Sequence, residues 1–196
     1  VDQRMTKGER TCIFQKEQDT PNAICNFIYH APMAYNLKNT VMLSMLKQSM
    51  QMLYTEKVRE DEGGAYSVPV SGRLVDYPEK YATIQIKLPT SPDKLERMTQ
   101  VIYEGIESLC TEGPSEDYLQ KIREYMVRAH AEDLKDNDYW MSQLVQRTRF
   151  GRNMVDGYDD VVRNVTVADL KVLACKIFKS GNRLVVGMVT PPAEDK

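Results

Sequence analysis

The sequence is poor in the residues that build the commonest metal-dependent hydrolase sites. It has only two histidines, His30 and His130, which lie far apart, and neither belongs to a His-x-x-Glu-His motif. A catalytic zinc ion needs several protein ligands around an open position. His130-Ala131-Glu132 looks like the start of a zinc deaminase motif, but no Pro-Cys-x-x-Cys follows it. We therefore expect no metal and no other cofactor to be bound by this chain.

Other motifs with a defined chemistry are missing too. The sequence contains no Gly-x-Ser-x-Gly, no Gly-x-x-x-x-Gly-Lys and no Gly-x-Gly-x-x-Gly, which leaves serine hydrolysis and nucleotide binding without support. No apolar run approaches the roughly 20 residues that cross a bilayer. The net charge is -2 without an arginine-rich run, so we expect neither a membrane span nor a nucleic-acid partner.

The four cysteines are widely spaced and form no Cys-x-x-Cys pair. This spacing indicates neither a zinc knuckle nor a dense disulfide framework. We expect Cys12, Cys25, Cys110 and Cys175 to be buried, unreactive thiols.

Length and composition are typical of one folded domain. The chain has 196 residues, of which 42% are hydrophobic and 28% charged, enough to bury a core. We expect residues 1–196 to form a single domain. Because the sequence begins at Val1 without a methionine, we expect it to be a piece of a longer multi-domain protein, with further sequence upstream. The compartment, periplasmic or cytoplasmic, depends on what precedes it and stays open.

The hydrophobic pattern predicts strands and helices in blocks. Apolar residues in the segments 9–18 and 22–32, with a turn between them, predict a strand pair or hairpin. A helix is predicted from Leu37 to Arg59, followed by strands at 66–75 and 81–88. Helices are then predicted from Ser91, from Ser115 with a break near 136–138, and from Val167 to Lys179, before a last strand at 183–189.

The order β-β-α-β-β-α-α-α-β indicates the fold class. Strands come in pairs of antiparallel type, and helices come in groups instead of alternating with strands. We therefore predict an α+β fold, a two-layer sandwich of a mostly antiparallel sheet with helices packed on one face.

One segment combines a helix end, a glycine turn and a strand start, and it brings an arginine close to a tyrosine. Paired glycines readily take the left-handed conformations that end a helix. The segment reads Arg59-Glu60-Asp61-Glu62-Gly63-Gly64-Ala65-Tyr66-Ser67-Val68. On these residues alone, Arg59 could equally be a favourable charge at a helix C-terminus and Tyr66 an ordinary strand aromatic.

The pattern Arg-Glu-x-x-Gly-x-Ala-Tyr-Ser-Val resembles the non-metal domain of the pitrilysin and insulin-degrading-enzyme-like zinc metallopeptidases, the inverzincins. Further family-like fragments follow in the same order over nearly the whole chain. They are Leu88-Pro89, Glu112-Gly113-Pro114-Ser115-Glu116, Asn164-Val165-Thr166-Val167-Ala168-Asp169-Leu170 and Val189-Thr190-Pro191.

The resemblance implies a function. In that family one domain carries the inverted zinc motif and the facing domain has no metal ligands, and this chain is similar to the facing kind. It implies that Arg59 and Tyr66 hydrogen-bond the substrate backbone and the scissile carbonyl. The zinc, the general base and the metal-carrying N-terminal domains would be supplied elsewhere in the same or a partner chain, and the peptide substrate would be a further partner. By itself the chain should be inactive.

Two alternatives remain open at this stage. Degenerate members of the same fold serve as non-catalytic core subunits of larger assemblies, and this chain could be such a structural module. The resemblance could also be accidental, in which case the chain would be an unrelated α+β binding domain.

Overall fold

A five-stranded sheet forms one layer of the protein in a computed structural model that describes residues 7–62 and 67–191, without the side chains of residues 59–62. In spatial order the strands run β1-β5-β2-β4-β3. Three of the four pairings are antiparallel, and only β1 and β5 run parallel. The strands are β1 (Glu9–Gln15), β2 (Ala23–Pro32), β3 (Val70–Val75), β4 (Tyr81–Thr90) and β5 (Arg183–Val189).

The part of the chain that is described also contains six α-helices. The short turn of 3-10 helix at Pro92–Lys94 leads directly into the second of them. The helices are α1 (Leu37–Glu62), α2 (Leu95–Thr111), α3 (Glu116–Asp133), α4 (Asn137–Phe150), α5 (Tyr158–Asn164) and α6 (Val167–Phe178).

The core lies between one face of the sheet and the helices. Side chains on a strand alternate between its two faces, and β2 buries every second residue from Ala23 to Ala31 while β4 buries Ile84, Ile86 and Leu88. Helices α1, α2 and α6 contact this sheet, and their apolar stripes complete one contiguous cluster of buried side chains. The predicted α+β class, with helices on one face of a mostly antiparallel sheet, is confirmed.

The predicted hairpin between the first two strands is wrong. Strand β5 lies between β1 and β2 and pairs with both. The backbone N–H of Asn22 donates to the Thr190 hydroxyl at 3.1 Å, so the connection between β1 and β2 crosses the end of β5. A Cβ at Gly187 of β5 would lie 2.6 Å from the Cys25 sulfur, so only a glycine fits there without displacing a neighbour.

The ends of several helices follow the predicted signals. Thr166 and Asp169 form a reciprocal capping box, and α6 begins at Val167 as predicted. Ser115 caps α3 as predicted, and the break near 136–138 is observed because Asp136 caps α4. Helix α5 was not predicted, and β3 begins at Val70 instead of Tyr66.

The cysteine prediction holds only in part. Cys25 and Cys110 are buried, Cys175 is partly buried, and Cys12 is exposed on the edge strand β1. Burial raises the pKa of the Cys25 and Cys110 thiols, so both are held as neutral thiols. Cys12 lies on β1, an edge strand that pairs with β5, and all seven residues of this strand are exposed.

Candidate functional site

The candidate site is centred on the end of helix α1. Arg59 belongs to the last two turns of this helix, but its side chain lies outside the described residues, as does all of Tyr66. That the two side chains meet therefore stays a prediction. The described residues on either side show how the segment between them is held.

Tyr54 anchors the end of α1 that leads to Arg59. Its side chain is fully buried, and its hydroxyl donates a hydrogen bond to the backbone oxygen of Ile102 in α2 at 3.0 Å. Burial raises the pKa of Tyr54 well above its usual value, so the phenol stays a neutral donor. One turn further along, Val58 is also buried. The helix is thus fixed to the core immediately before Arg59.

The residues that follow Tyr66, from Val68 to Val70, are also held in place by hydrogen bonds and packing. The Gln51 side-chain amide donates to the backbone oxygen of Val68 at 3.1 Å and accepts from the backbone N–H of Val70 at 3.0 Å. The N–H of Lys87 in β4 donates to the oxygen of Pro69 at 2.9 Å, and the Val68 side chain is fully buried. These contacts attach the approach to β3 both to α1 and to the sheet.

Both ends of the segment carrying the candidate pair are therefore attached to rigid elements. Gln51 and Val58 lie on the same helix, about 10 Å apart along its axis at 1.5 Å per residue. Holding a functional segment on packed helices and strands restricts where its side chains can point. Sequence reasoning missed Gln51, whose only signal is one polar side chain between Met50 and Met52.

Replacing Gln51 with Leu is expected to loosen the start of β3. The substitution removes both hydrogen bonds and leaves the partly buried Val68 oxygen and Val70 N–H without these partners, which costs about 1–3 kcal/mol. Hydrogen exchange at the Val70 amide should accelerate by about 5- to 150-fold, since about 1.4 kcal/mol is a factor of ten. The matched control is Gln48→Leu on the same helix, where the amide only contacts Ser44 at 3.5 Å. Equal exchange rates in both variants would contradict the assigned role of Gln51.

The two histidines do not converge on a metal site. His130 is buried on α3, where Nδ1 lies 2.9 Å from an Asp159 carboxylate oxygen and Nε2 lies 3.2 Å from the Tyr139 hydroxyl. His30 is on β2, in another layer of the protein. Among the residues that the structure describes, no group of three or more His, Cys, Asp or Glu side chains could hold a metal ion. The described residues therefore do not fit a zinc centre.

The described helices also include none that is long and apolar enough to cross a membrane.

Comparison with known families identifies one model, described as the peptidase M16 inactive domain, that matches residues 3–126. The matched region contains the whole segment from Gln51 to Val70, and with it both Arg59 and Tyr66. No curated protein matches the sequence.

Solved structures with the same fold include several proteases. The periplasmic protease PqqL from Escherichia coli superposes with a TM-score of 0.79 at 16% identity, over 96% of this chain and 21% of its own. The ferredoxin protease FusC, solved in complex with Arabidopsis ferredoxin, gives a TM-score of 0.81 at 13% identity, over 97% and 21%. Pitrilysin gives 0.61 at 15% identity, over 98% and 21%. The chain thus spans about a fifth of the length of these relatives.

Proposed function

This chain belongs to the peptidase M16 family as a domain of the inactive type, and from that premise we propose that it is the non-metal, substrate-contacting domain of a zinc-dependent metalloendopeptidase. In this proposal Arg59 and Tyr66 are its catalytic contribution, and the zinc and the general base belong to another domain. Residues 1–196 form one domain of the longer protein, and peptide hydrolysis requires the whole.

The observation that carries the proposal is the double attachment of the segment between Val58 and Val68. Val58 at the end of α1 and Val68 just before β3 are both buried, so both ends of the segment are packed into the core. Gln51 adds two hydrogen bonds to the downstream side. Such support favours a segment whose side chains must be held in place, because a functional group loses much of its effect when its position is loose.

The two residue types suit the proposed chemistry. Arginine stays charged at every working pH and presents a rigid set of N–H donors that can hold substrate backbone oxygens. A tyrosine hydroxyl can donate to the oxygen that becomes negative when the scissile carbonyl is attacked. The domain would therefore bind and orient the peptide and stabilise the tetrahedral oxyanion.

Replacing Arg59 with Ala in the longer protein tests the substrate-binding role. Loss of hydrogen bonds from a charged donor costs about 1.5–3 kcal/mol, so kcat/KM should fall by about 10- to 150-fold on a peptide substrate. The control is Arg163→Ala, which removes an exposed arginine from α5 and should leave kcat/KM unchanged. Thermal unfolding of both variants should match that of the unmodified protein if the loss of turnover comes from lost substrate contacts.

The structural-module alternative predicts a different pattern. A domain that only supports an assembly would tolerate Arg59→Ala without any change in turnover, while core substitutions would still disrupt it. Equal kcat/KM for the Arg59→Ala and Arg163→Ala proteins would therefore overturn the assigned catalytic role in favour of that alternative.

A further inference from the structure

Helix α4 has its more apolar side facing solvent. Helical positions advance by about 100° per residue, so Trp140, Leu144, Met141 and Val145 fall within an arc of about 140°. Their exposed fractions are 42%, 52%, 61% and 47%, respectively. An amphipathic surface helix normally turns such a stripe toward the core.

The side of α4 that faces the rest of the protein is the polar one. Tyr139, Gln143 and Gln146 are the partly buried residues of this helix, and none of its residues is fully buried. Its bounds are well defined, because Asp136 caps its start and Gly151 ends it in a left-handed conformation at φ 64°. A contiguous exposed apolar stripe on an ordered helix marks an interaction surface.

The stripe has the symmetry of a surface that pairs with itself. In a two-fold antiparallel helix pair, residues equally distant from the midpoint face one another. With the axis between residues 143 and 144, Leu144 would lie beside its own equivalent and Met141 beside Val145 of the second copy, each pair about one helical rise, 1.5 Å, from directly opposite. Apolar residues would then meet apolar residues along the whole centre of the pair.

Charges at the two ends of the stripe match under the same symmetry. A two-fold axis that lies in the interface, perpendicular to the helix, keeps each edge of the stripe against the same edge of the second copy. Asp138 and Arg149 lie on one edge of the stripe, at opposite ends of the helix. Asp138 of each copy would therefore face Arg149 of the other copy. On the other edge, Trp140 would face Arg147, an arginine–indole contact of the kind that stabilises interfaces.

We propose that the exposed stripe of α4, formed by Trp140, Met141, Leu144 and Val145, is a self-association surface on which a second copy of this chain docks with α4 antiparallel to α4. The proposal rests on the burial, spacing and charge of α4 and is independent of the catalytic proposal.

The size of the stripe sets the expected affinity. A helix of 14 residues is about 21 Å long, and one such pair buries less than the roughly 1,200 Å² of a standard interface. We therefore expect a reversible dimer with a Kd on the order of 10–100 µM.

Sedimentation equilibrium of the 196-residue chain, from about 1 to about 500 µM, measures this association. Leu144→Asp places a charge beside the proposed axis and should raise Kd by more than about 10-fold. Val172→Asp on α6 is the matched control, because Val172 is an exposed apolar residue at 68% outside the stripe, and its Kd should stay unchanged. Circular dichroism confirms that each variant remains folded.

Charge reversal tests the antiparallel arrangement. Asp138→Arg and Arg149→Asp should each weaken association by about 5-fold, because like charges would then face each other. The double variant should return to within about 2-fold of the original Kd, since the attraction is restored with its signs exchanged. A chain that stays monomeric to about 500 µM, a dimer that is insensitive to Leu144→Asp, or a double variant that stays weak would each overturn the proposal.

Discussion

Replacing Tyr66 with Phe in the longer protein is expected to lower kcat by about 100- to 1000-fold while the protein stays folded. The substitution keeps the aromatic ring and removes only the hydroxyl, which we propose donates to the oxyanion as charge develops. An interaction made mainly in the transition state lowers kcat and kcat/KM together and leaves KM nearly unchanged. Steady-state kinetics on a peptide substrate separates these parameters.

The control for this prediction is Tyr77→Phe. Tyr77 is 85% exposed, so loss of its hydroxyl should change neither kcat nor the unfolding temperature. The prediction would be contradicted by a Tyr66→Phe enzyme with normal kcat, or by one whose loss of activity follows a loss of stability. An increase in KM alone would mean that Tyr66 binds the ground state and the transition state equally.

Much of the fold could be predicted because local signals and packing agree. The alternation of Ala82, Ile84, Ile86 and Leu88 in β4 gives a buried face in both the sequence and the structure. The capping box at Thr166 starts α6 where the sequence placed it. Consistency of this kind between propensity, capping and hydrophobic pattern is what makes an element predictable.

The sheet order could not be predicted in the same way. Strand β5 enters between β1 and β2 from the other end of the chain, and its pairing depends on contacts between residues far apart in sequence. Gly187 provides the space for this close approach, but a glycine within a strand pattern does not reveal which neighbour it accommodates. Helix α5 was missed for a related reason: it has seven residues, with one buried side chain, Val162, too few for a clear helical period.

Arg59 and Tyr66 were proposed as site residues because their segment resembles a metallopeptidase family, whereas the residues that hold the segment were not predicted. Gln51 looks like any polar position on a helix. The hydrogen bonds of Gln51 can be identified only from the folded structure, because its partners are backbone atoms of Val68 and Val70, which pack against α1. Backbone partners leave no trace in a motif, since any residue supplies the same N–H and C=O groups.

Replacing Tyr54 with Ala should be among the most destabilising single changes in the described chain, at about 3–5 kcal/mol. The ring is fully buried and fills the space between α1 and α2, and its hydroxyl bonds to Ile102. Urea denaturation of the 196-residue chain measures the loss. Tyr54→Phe keeps the ring and removes only the hydrogen bond, so it should cost about 0.5–1.5 kcal/mol. Equal losses in the two variants would contradict packing as the main role of the ring.

Gly105 provides an independent check on how Tyr54 packs. A Cβ at Gly105 would lie 2.6 Å from a Tyr54 ring carbon, so Gly105→Ala should destabilise the unmodified chain by about 1–3 kcal/mol. In the Tyr54→Ala background the added methyl group enters the space the ring has left, and alanine also favours the helix, so the same change should become neutral or stabilising. A Gly105→Ala cost that is the same in both backgrounds would mean that the ring and α2 do not constrain each other. The expected reversal would show that the contact between Tyr54 and Gly105 fixes α1 against α2, on the helix that carries Arg59.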